Sequence, residues 1–309
     1  MRIVLVEQSR VGLKIMSTML RQRGHEVYEF RDGEEAIKYI EADEFVELVI
    51  TSFESLTISG LQVCWEARLL AGESRALYVI AMSSTYDGHS LERALDSGAD
   101  DFIAKPPNDQ ELHARLRAAE RLLAAQRKLI RLANRDPLTD LLNRRAFLEK
   151  AAAARDRAIE MKMPLSAIIV DIDHFKRVND TYGHDVGDDV IRTVAQELNN
   201  CSSVVGRLGG EEFGIILEWQ TPEEGFEVID RLRKVIAGLE FDTALEPIRV
   251  TVSAGIASGP ITESIRTLLK RADLALYSSK QNGRNRVTAF DSIEATIEPG
   301  STDAGTVAA

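Results

Sequence analysis

Two acidic clusters hold the residues of this chain best suited to chemistry. The first is Arg207-Leu-Gly-Gly-Glu-Glu-Phe213, where Glu211 and Glu212 directly follow a pair of glycines. Val204-Val205 and Phe213-Gly-Ile-Ile-Leu217 on either side are strand-like, and adjacent glycines make a favoured two-residue turn, so the pattern predicts a β-hairpin with Gly209 and Gly210 at its tip. A tip without side chains lets a bulky, phosphate-bearing ligand come close to the backbone. On their own these residues equally fit a solvated hairpin. The second cluster shifts the balance: Leu165-Ser-Ala-Ile-Ile-Val-Asp171 is an apolar run that ends in acid, and it continues as Ile172-Asp-His-Phe-Lys176. A buried strand ending this way presents its carboxylate at the sheet edge, where ligands of α/β and α+β folds bind. Asp171 and Glu211 can then converge on one cation. Hard oxygen donors suit Mg²⁺, which keeps few protein carboxylates and completes its shell with water and phosphate oxygens.

The elements that must position these groups fall into successive segments. Residues 1–107 alternate apolar strands with helical stretches; Arg2–Val6, Val27–Phe30, Leu48–Thr51, Leu77–Met82 and Asp101–Ile103 read as strands of a doubly wound parallel sheet. Residues 108–134 lack Gly and Pro and read as one helical stalk, roughly 40 Å long at 1.5 Å per residue. Leu112, Leu116, Ala119, Leu123, Gln126, Ile130 and Ala133 recur at alternating spacings of four and three, the pattern of a coiled-coil seam. A connector helix packed on its own domain is the alternative. Residues 135–290 contain both acidic clusters, and 291–309 form an acidic tail with few large apolar residues, expected to be disordered.

With 309 residues and 44% hydrophobic content the chain can bury more than one core. No apolar run approaches the roughly 18 residues of a membrane span, and the N-terminus lacks a signal-peptide profile, so a cytoplasmic protein is expected. A net charge of −11 argues against nucleic acid or an anionic membrane as partner. Cys64 and Cys201 have neither disulfide nor metal-ligand spacing.

The segment from Asp136 to Phe290 resembles the GGDEF diguanylate cyclases, with the signature in its GGEEF form at Gly209 to Phe213. Asp136-Pro-Leu-Thr-Asp-Leu-Leu-Asn-Arg-Arg145 is similar to that family's opening motif, Asp171-Ile-Asp-His-Phe-Lys176 to its metal and phosphate strand, and Ala272 to Arg286 to its last helix and turn. The resemblance implies a palm-like α+β nucleotidyl cyclase domain that joins two GTP into cyclic di-GMP and releases two pyrophosphates. It implies Mg²⁺ or Mn²⁺, two per site, on Asp171, Glu211 and the Ile172 carbonyl. His174, Phe175, Lys176, Lys280 and Arg284 are then expected at the phosphates, Asn179 and Asp188 at the guanine. Glu211 is also a candidate for the group that deprotonates the attacking hydroxyl; a metal-bound hydroxide or a substrate phosphate is the alternative. One nucleotide site per domain makes a homodimer, joined through residues 1–107 and the linker helix, the expected active form. The competing reading is a GTP or cyclic di-GMP sensor with weak turnover that acts through partner binding. The family's inhibitory Arg-x-x-Asp motif is absent: its spacing falls on Asn200 and Ser203, which lack the charges.

Residues 1–107 resemble a response-regulator receiver in length, strand order and the ending Ala99 to Pro107. Ser52 stands at the phosphoacceptor position, and the acidic pair is Glu7-Gln8. A serine hydroxyl cannot form an acyl phosphate, and one carboxylate is a poor Mg²⁺ site. Ser83 and Lys105 match the switch hydroxyl and the phosphate-pairing lysine; Lys105 is expected to pair with Glu7, with an unknown acidic ligand as the alternative. Such a receiver would serve as a dimerisation or protein-docking module.

Overall fold

A computed structural model describes residues 1–54, 58–72, 75–84, 88–201, 204–243, 246–259 and 263–294. The chain divides into two compact units, Met1–Ala133 and Asn134–Ala309.

The first unit runs β1 (Arg2–Val6), α1 (Arg10–Gln22), β2 (Glu26–Phe30), α2 (Gly33–Ala42), β3 (Leu48–Ser52), α3 (Gly60–Ala71), β4 (Tyr78–Ser83), α4 (Gly88–Asp96), β5 (Asp101–Ala104) and α5 (Asp109–Asn134). Its sheet is parallel throughout, in the order β2-β1-β3-β4-β5. Side chains alternate across each strand, so Ile3, Leu5, Leu48 and Ile50 enter one core layer while Val4, Val6, Val49 and Val79 enter the other. Ser9, Asp32 and Ser59 cap the helices that follow strands, each accepting a backbone N–H of the first turn.

Helix α5 corrects the coiled-coil reading. Leu112, Leu116, Ala119 and Leu123 are buried in the same core layer as Ile3 and Leu5, and Arg115 and Arg127 pair with Asp101 and Glu47 of that unit. Those four positions already have their partners, so the stalk's first half is packed on its own domain. Gln126 and Ala133 are exposed, Ile130 half-buried. The exposed apolar stripe is a different one, Leu122, Ala125, Leu129 and Leu132, still at alternating spacings of three and four. The heptad period was legible in the sequence, but two stripes share it, and burial decides between them.

The second unit runs α6 (Arg144–Met161), β6 (Leu165–Ile172), α7 (Phe175–Tyr182), α8 (His184–Asn199), β7 (Val204–Gly209), β8 (Glu212–Glu218), α9 (Pro222–Gly238), β9 (Val252–Ser258), α10 (Ile265–Gln281), β10 (Val287–Ala289) and α11 (Phe290–Glu294). The sheet order is β10-β9-β6-β8-β7; central β6 runs antiparallel to β8 and β9, and only β10 lies parallel to its neighbour. Ile168, Val170, Phe213 and Ile215 share a core with Val190, Val194 and Leu198 of α8 and Ile229 of α9. On the opposite face Ala167, Ile169 and Ile216 pack with Phe147 and Ala151 of α6 and Ala272 and Leu276 of α10. β6 is therefore buried along its whole length, which makes its sequence a continuous apolar run. The expected tail boundary moves slightly, because Asp291 to Glu294 continue as α11; residues 295–309 lie outside the described residues.

Candidate active site

The site is built where β6 ends beside the β7–β8 hairpin. Asp171 lies directly opposite Glu212 in the antiparallel pairing, and the Ile172 N–H donates to the Glu211 carbonyl at 3.4 Å. The two acidic clusters thus meet, as their positions at a strand end and a hairpin tip require. The hairpin itself departs from expectation. Gly209 pairs with Glu212 at the end of β7, so the two-residue turn is Gly210-Glu211 rather than Gly209-Gly210. A register shift between Arg207 and Gly209 causes this displacement. Gly210 has φ +52°, which a side chain would strain, and a Cβ on either glycine would meet nothing within 4 Å among the described residues.

Arg207 fixes the turn. Its guanidinium donates to the Gly210 carbonyl at 2.7 and 2.9 Å and to Asp136 Oδ1 at 3.0 Å, and Asp136 also accepts from the Thr139 hydroxyl at 2.8 Å. Burial works against the Asp136 charge, but the hydrogen bonds from Thr139 and Arg207 outweigh it and hold the carboxyl below its ordinary range. The opening motif is therefore clamped to the signature turn. The Arg207 guanidinium is thus committed to the turn and to Asp136.

Asp171 is 5% exposed, and burial, reinforced by Glu211 and Glu212, raises its pKa to about 6 against the opposing pull of Lys280. Lys280 Nζ lies 2.9 Å from Asp171 Oδ2, so this lysine, expected at phosphates, sits on the metal-strand carboxylate instead. Among the described residues no three His, Cys, Asp or Glu side chains form a ready metal cage. The donor set still fits a hard divalent cation: Asp171, Glu211 and the Ile172 carbonyl supply oxygen only, and a cation would offset both the burial and the lesser repulsion from Glu211 and Glu212 that raise the Asp171 pKa.

Beyond β6, Asp173 is a buried carboxylate that the sequence did not single out. It accepts from the Thr251 hydroxyl at 2.6 Å, the Ser253 hydroxyl at 2.7 Å and the Asn285 backbone N–H at 3.0 Å. It thereby ties β6, β9 and the turn after α10 together, and only its position two residues after Asp171 could have flagged it. Arg284 lies in that turn with φ +62°, past the end of α10, so it and Lys280 are not neighbours on one helical face. His174 precedes α7 in a left-handed conformation and is exposed, as is Lys176; the Phe175 ring is in the core.

Asn179 on α7 and Asp188 on α8 are both half-buried, and Arg192 approaches Asp188 at 3.9 Å. Gly187 allows the close approach: a Cβ there would lie 1.9 Å from Asn179 Oδ1 and 3.2 Å from the Phe175 ring. Asn200 ends α8, its side-chain amide 3.5 Å from Glu197, and Ser203 lies outside the described residues.

In the first unit, the Lys105–Glu7 pair is present at 2.6 Å, and Ser52 and Ser83 are buried at the ends of β3 and β4. The Gln8 carbonyl accepts from Arg31. The Cys64 thiol is buried, which pushes its pKa up to about 12, while Cys201 donates to the Leu198 carbonyl.

Comparison with known proteins agrees with this division. Residues 133–286 match the profile "Diguanylate cyclase, GGDEF domain" and residues 3–117 match "Response regulator receiver domain". The chain carries a receiver domain followed by a GGDEF domain. It is 34% identical over 256 residues to the response regulator PleD of Caulobacter vibrioides, covering 78% of this chain and 56% of that protein. It is 39% identical over 155 residues to the diguanylate cyclase DgcP of Pseudomonas aeruginosa, covering 49% of this chain and 23% of that protein. The chain thus spans only about half, or less, of these relatives. The GGDEF part is also similar to a crystal structure of the coiled coil and GGDEF domain of DgcB from Caulobacter crescentus in complex with c-di-GMP, at 36% identity and a TM-score of 0.53, covering 58% of this chain and 98% of that one. No helix among the described residues is long and apolar enough to cross a membrane.

Proposed function

We propose that the GGDEF domain condenses two GTP into cyclic di-GMP with release of two pyrophosphates. The observation that carries this reading is the meeting of Asp171 with Glu212 and Glu211 at the β6 end and the hairpin turn, beside Lys280. Asp171, Glu211 and the Ile172 carbonyl would hold Mg²⁺ or Mn²⁺, which supplies charge neutralisation for the phosphates and for the oxygens exchanged in the displacement. The 3′-hydroxyl of one GTP attacks the α-phosphorus of another, a P–O bond forms as the bond to pyrophosphate breaks, and the hydroxyl proton passes to a base, for which Glu211 is the protein candidate and a metal-bound hydroxide or a substrate phosphate the alternative. Backbone amides after β6, with Lys176, Lys280 and Arg284, would receive the phosphates. For Lys280 this requires leaving Asp171 when a cation takes its place. Asn179 and Asp188 offer the donor and acceptors complementary to a guanine edge, and adenine would mismatch both.

Each domain offers one such site, so the active species is a homodimer. The Leu122, Ala125, Leu129 and Leu132 stripe of α5 supports pairing of two stalks. The receiver lacks an acceptor carboxylate at Ser52 and is read as a dimerisation or docking module. Purified protein with GTP and Mg²⁺, its product identified by mass, tests the reading; tight nucleotide binding without product would leave the sensor instead.

A further inference from the structure

The degenerate phosphorylation site of the receiver is filled by a side chain of its own. Glu54, two residues past Ser52, turns its carboxylate back into the site. Oε2 accepts from the Ser52 hydroxyl at 2.7 Å and from Lys105 Nζ at 2.8 Å; Oε1 accepts from the Ser84 hydroxyl at 2.8 Å and faces the Ser84 N–H at 3.4 Å. Lys105 also contacts the Ser52 hydroxyl and bonds Glu7. A phosphoryl group carried on an aspartate at position 52 would extend beyond that side chain, toward an ammonium, a hydroxyl and a backbone amide. Those are the groups that the Glu54 carboxylate engages, and it touches the side chain at position 52 itself.

We propose that Glu54 is an internal stand-in for the phosphoryl group, drawing the ends of β4 and β5 onto the β3 end and so fixing the receiver in one switch state without a phosphodonor. The charge logic is consistent. Without Glu54, Lys105 would keep Glu7 as its one carboxylate partner among the described residues, beside the Ser52 hydroxyl, and the ends of β4 and β3 would lose the anion that both contact. Access is not what silences the site, because an open cavity of about 730 Å³ lies beside it, lined by Glu7, Gln8, Arg10, Glu54, Ser84 and Lys105. The hydroxyl that meets the carboxylate is that of Ser84, one residue past the expected switch position Ser83.

Amide hydrogen exchange of the full-length protein tests this independently of any cyclase activity. Glu54→Gln keeps the shape and removes the charge; exchange should rise about tenfold at the ends of β4 and β5, with β1 and β2 unchanged. A variant carrying Gln8→Asp, Ser52→Asp and Glu54→Ala rebuilds the acceptor and the acidic pair. With Mg²⁺ and beryllofluoride its β4 and β5 ends should return to parental exchange, while the same reagent leaves the parent unaltered. Parental exchange in Glu54→Gln overturns the proposal whatever the triple variant does. So does a uniform rise across β1 to β5, which would mark a merely stabilising contact, or a rebuilt receiver deaf to beryllofluoride. If the exchange result holds but neither variant changes turnover of GTP, the switch stands and its coupling to the proposed cyclase fails.

Discussion

At Asp171 two demands compete: burial favours the protonated acid, while the metal-binding role proposed for it needs the charge. Lys280 holds the charge in place at 2.9 Å, and a cation would take over that role. Asp171→Asn and Glu211→Gln should each lower Mg²⁺-dependent GTP turnover at least about 100-fold with the fold intact by circular dichroism, because each removes a charge from the donor set. Near-parental rates in either would remove that residue from the site. The pocket proposed for the nucleobase has a different weak point. Gly187→Ala places a methyl group where the Asn179 amide now sits, so it should raise the KM for GTP, as should Asn179→Ala or Asp188→Ala, by the about 1–3 kcal/mol of an unpaired polar partner. A KM unchanged in all three would place the base elsewhere. These acids and amides were legible because their types and order match a family pattern. Asp173, Gly187 and Glu54 were not, since what makes them matter is a partner distant in sequence or a missing side chain.

Among the elements, the β7–β8 hairpin shows how a short-range rule fails by one residue. Two adjacent glycines do make good turns, but the shift after Arg207 places Gly209 in the ladder and Glu211 in the turn, which brings Glu211 beside Ile172. The clamp that holds this turn predicts a pH dependence. Asp136 has its pKa lowered in the folded chain, so between that value and its ordinary 3.8 the unfolded chain binds more protons. The clamp's stability is therefore full above the ordinary value and is lost as pH falls through the folded one. Urea unfolding of the parent from about pH 6 down to pH 3 should lose stability more steeply than that of Asp136→Asn; parallel curves would mean the carboxylate is not held by its charge. Around α5 the strands and helices were readable from apolar spacing, yet which of its two apolar stripes stays exposed was not. Leu129→Glu with Leu132→Glu should convert a dimer to monomer in sedimentation while leaving the thermal unfolding of the receiver near parental, since neither leucine enters its core. A persistent dimer would move the interface off the stalk.

For the molecule as a whole, control by accumulated product is the open question that the residues address most directly. Among the described residues Asn200 is bound only to its own helix end, and neither it nor Ser203 can offer an anion the forked contact of an arginine. Arg207, the nearest guanidinium in sequence, is committed to Gly210 and Asp136. Initial rates should therefore hold when micromolar cyclic di-GMP is added at saturating GTP, and non-competitive inhibition there would reveal a site built from other residues. The packing of α5 has one more consequence, for how the chain comes apart. Leu112 to Leu123 share their core with Ile3, Leu5 and Ile103, so the first three turns of the stalk cannot melt, slide or swap partners unless the sheet opens too. Beyond Leu123 no described residue of the helix enters that core, and the Arg127–Glu47 ion pair is what ties the next turn to the sheet. The helix is continuous in its backbone but belongs to two cooperative units, and a protease that samples partly opened chains should cut first after Leu123, releasing a receiver that retains the near half of its stalk.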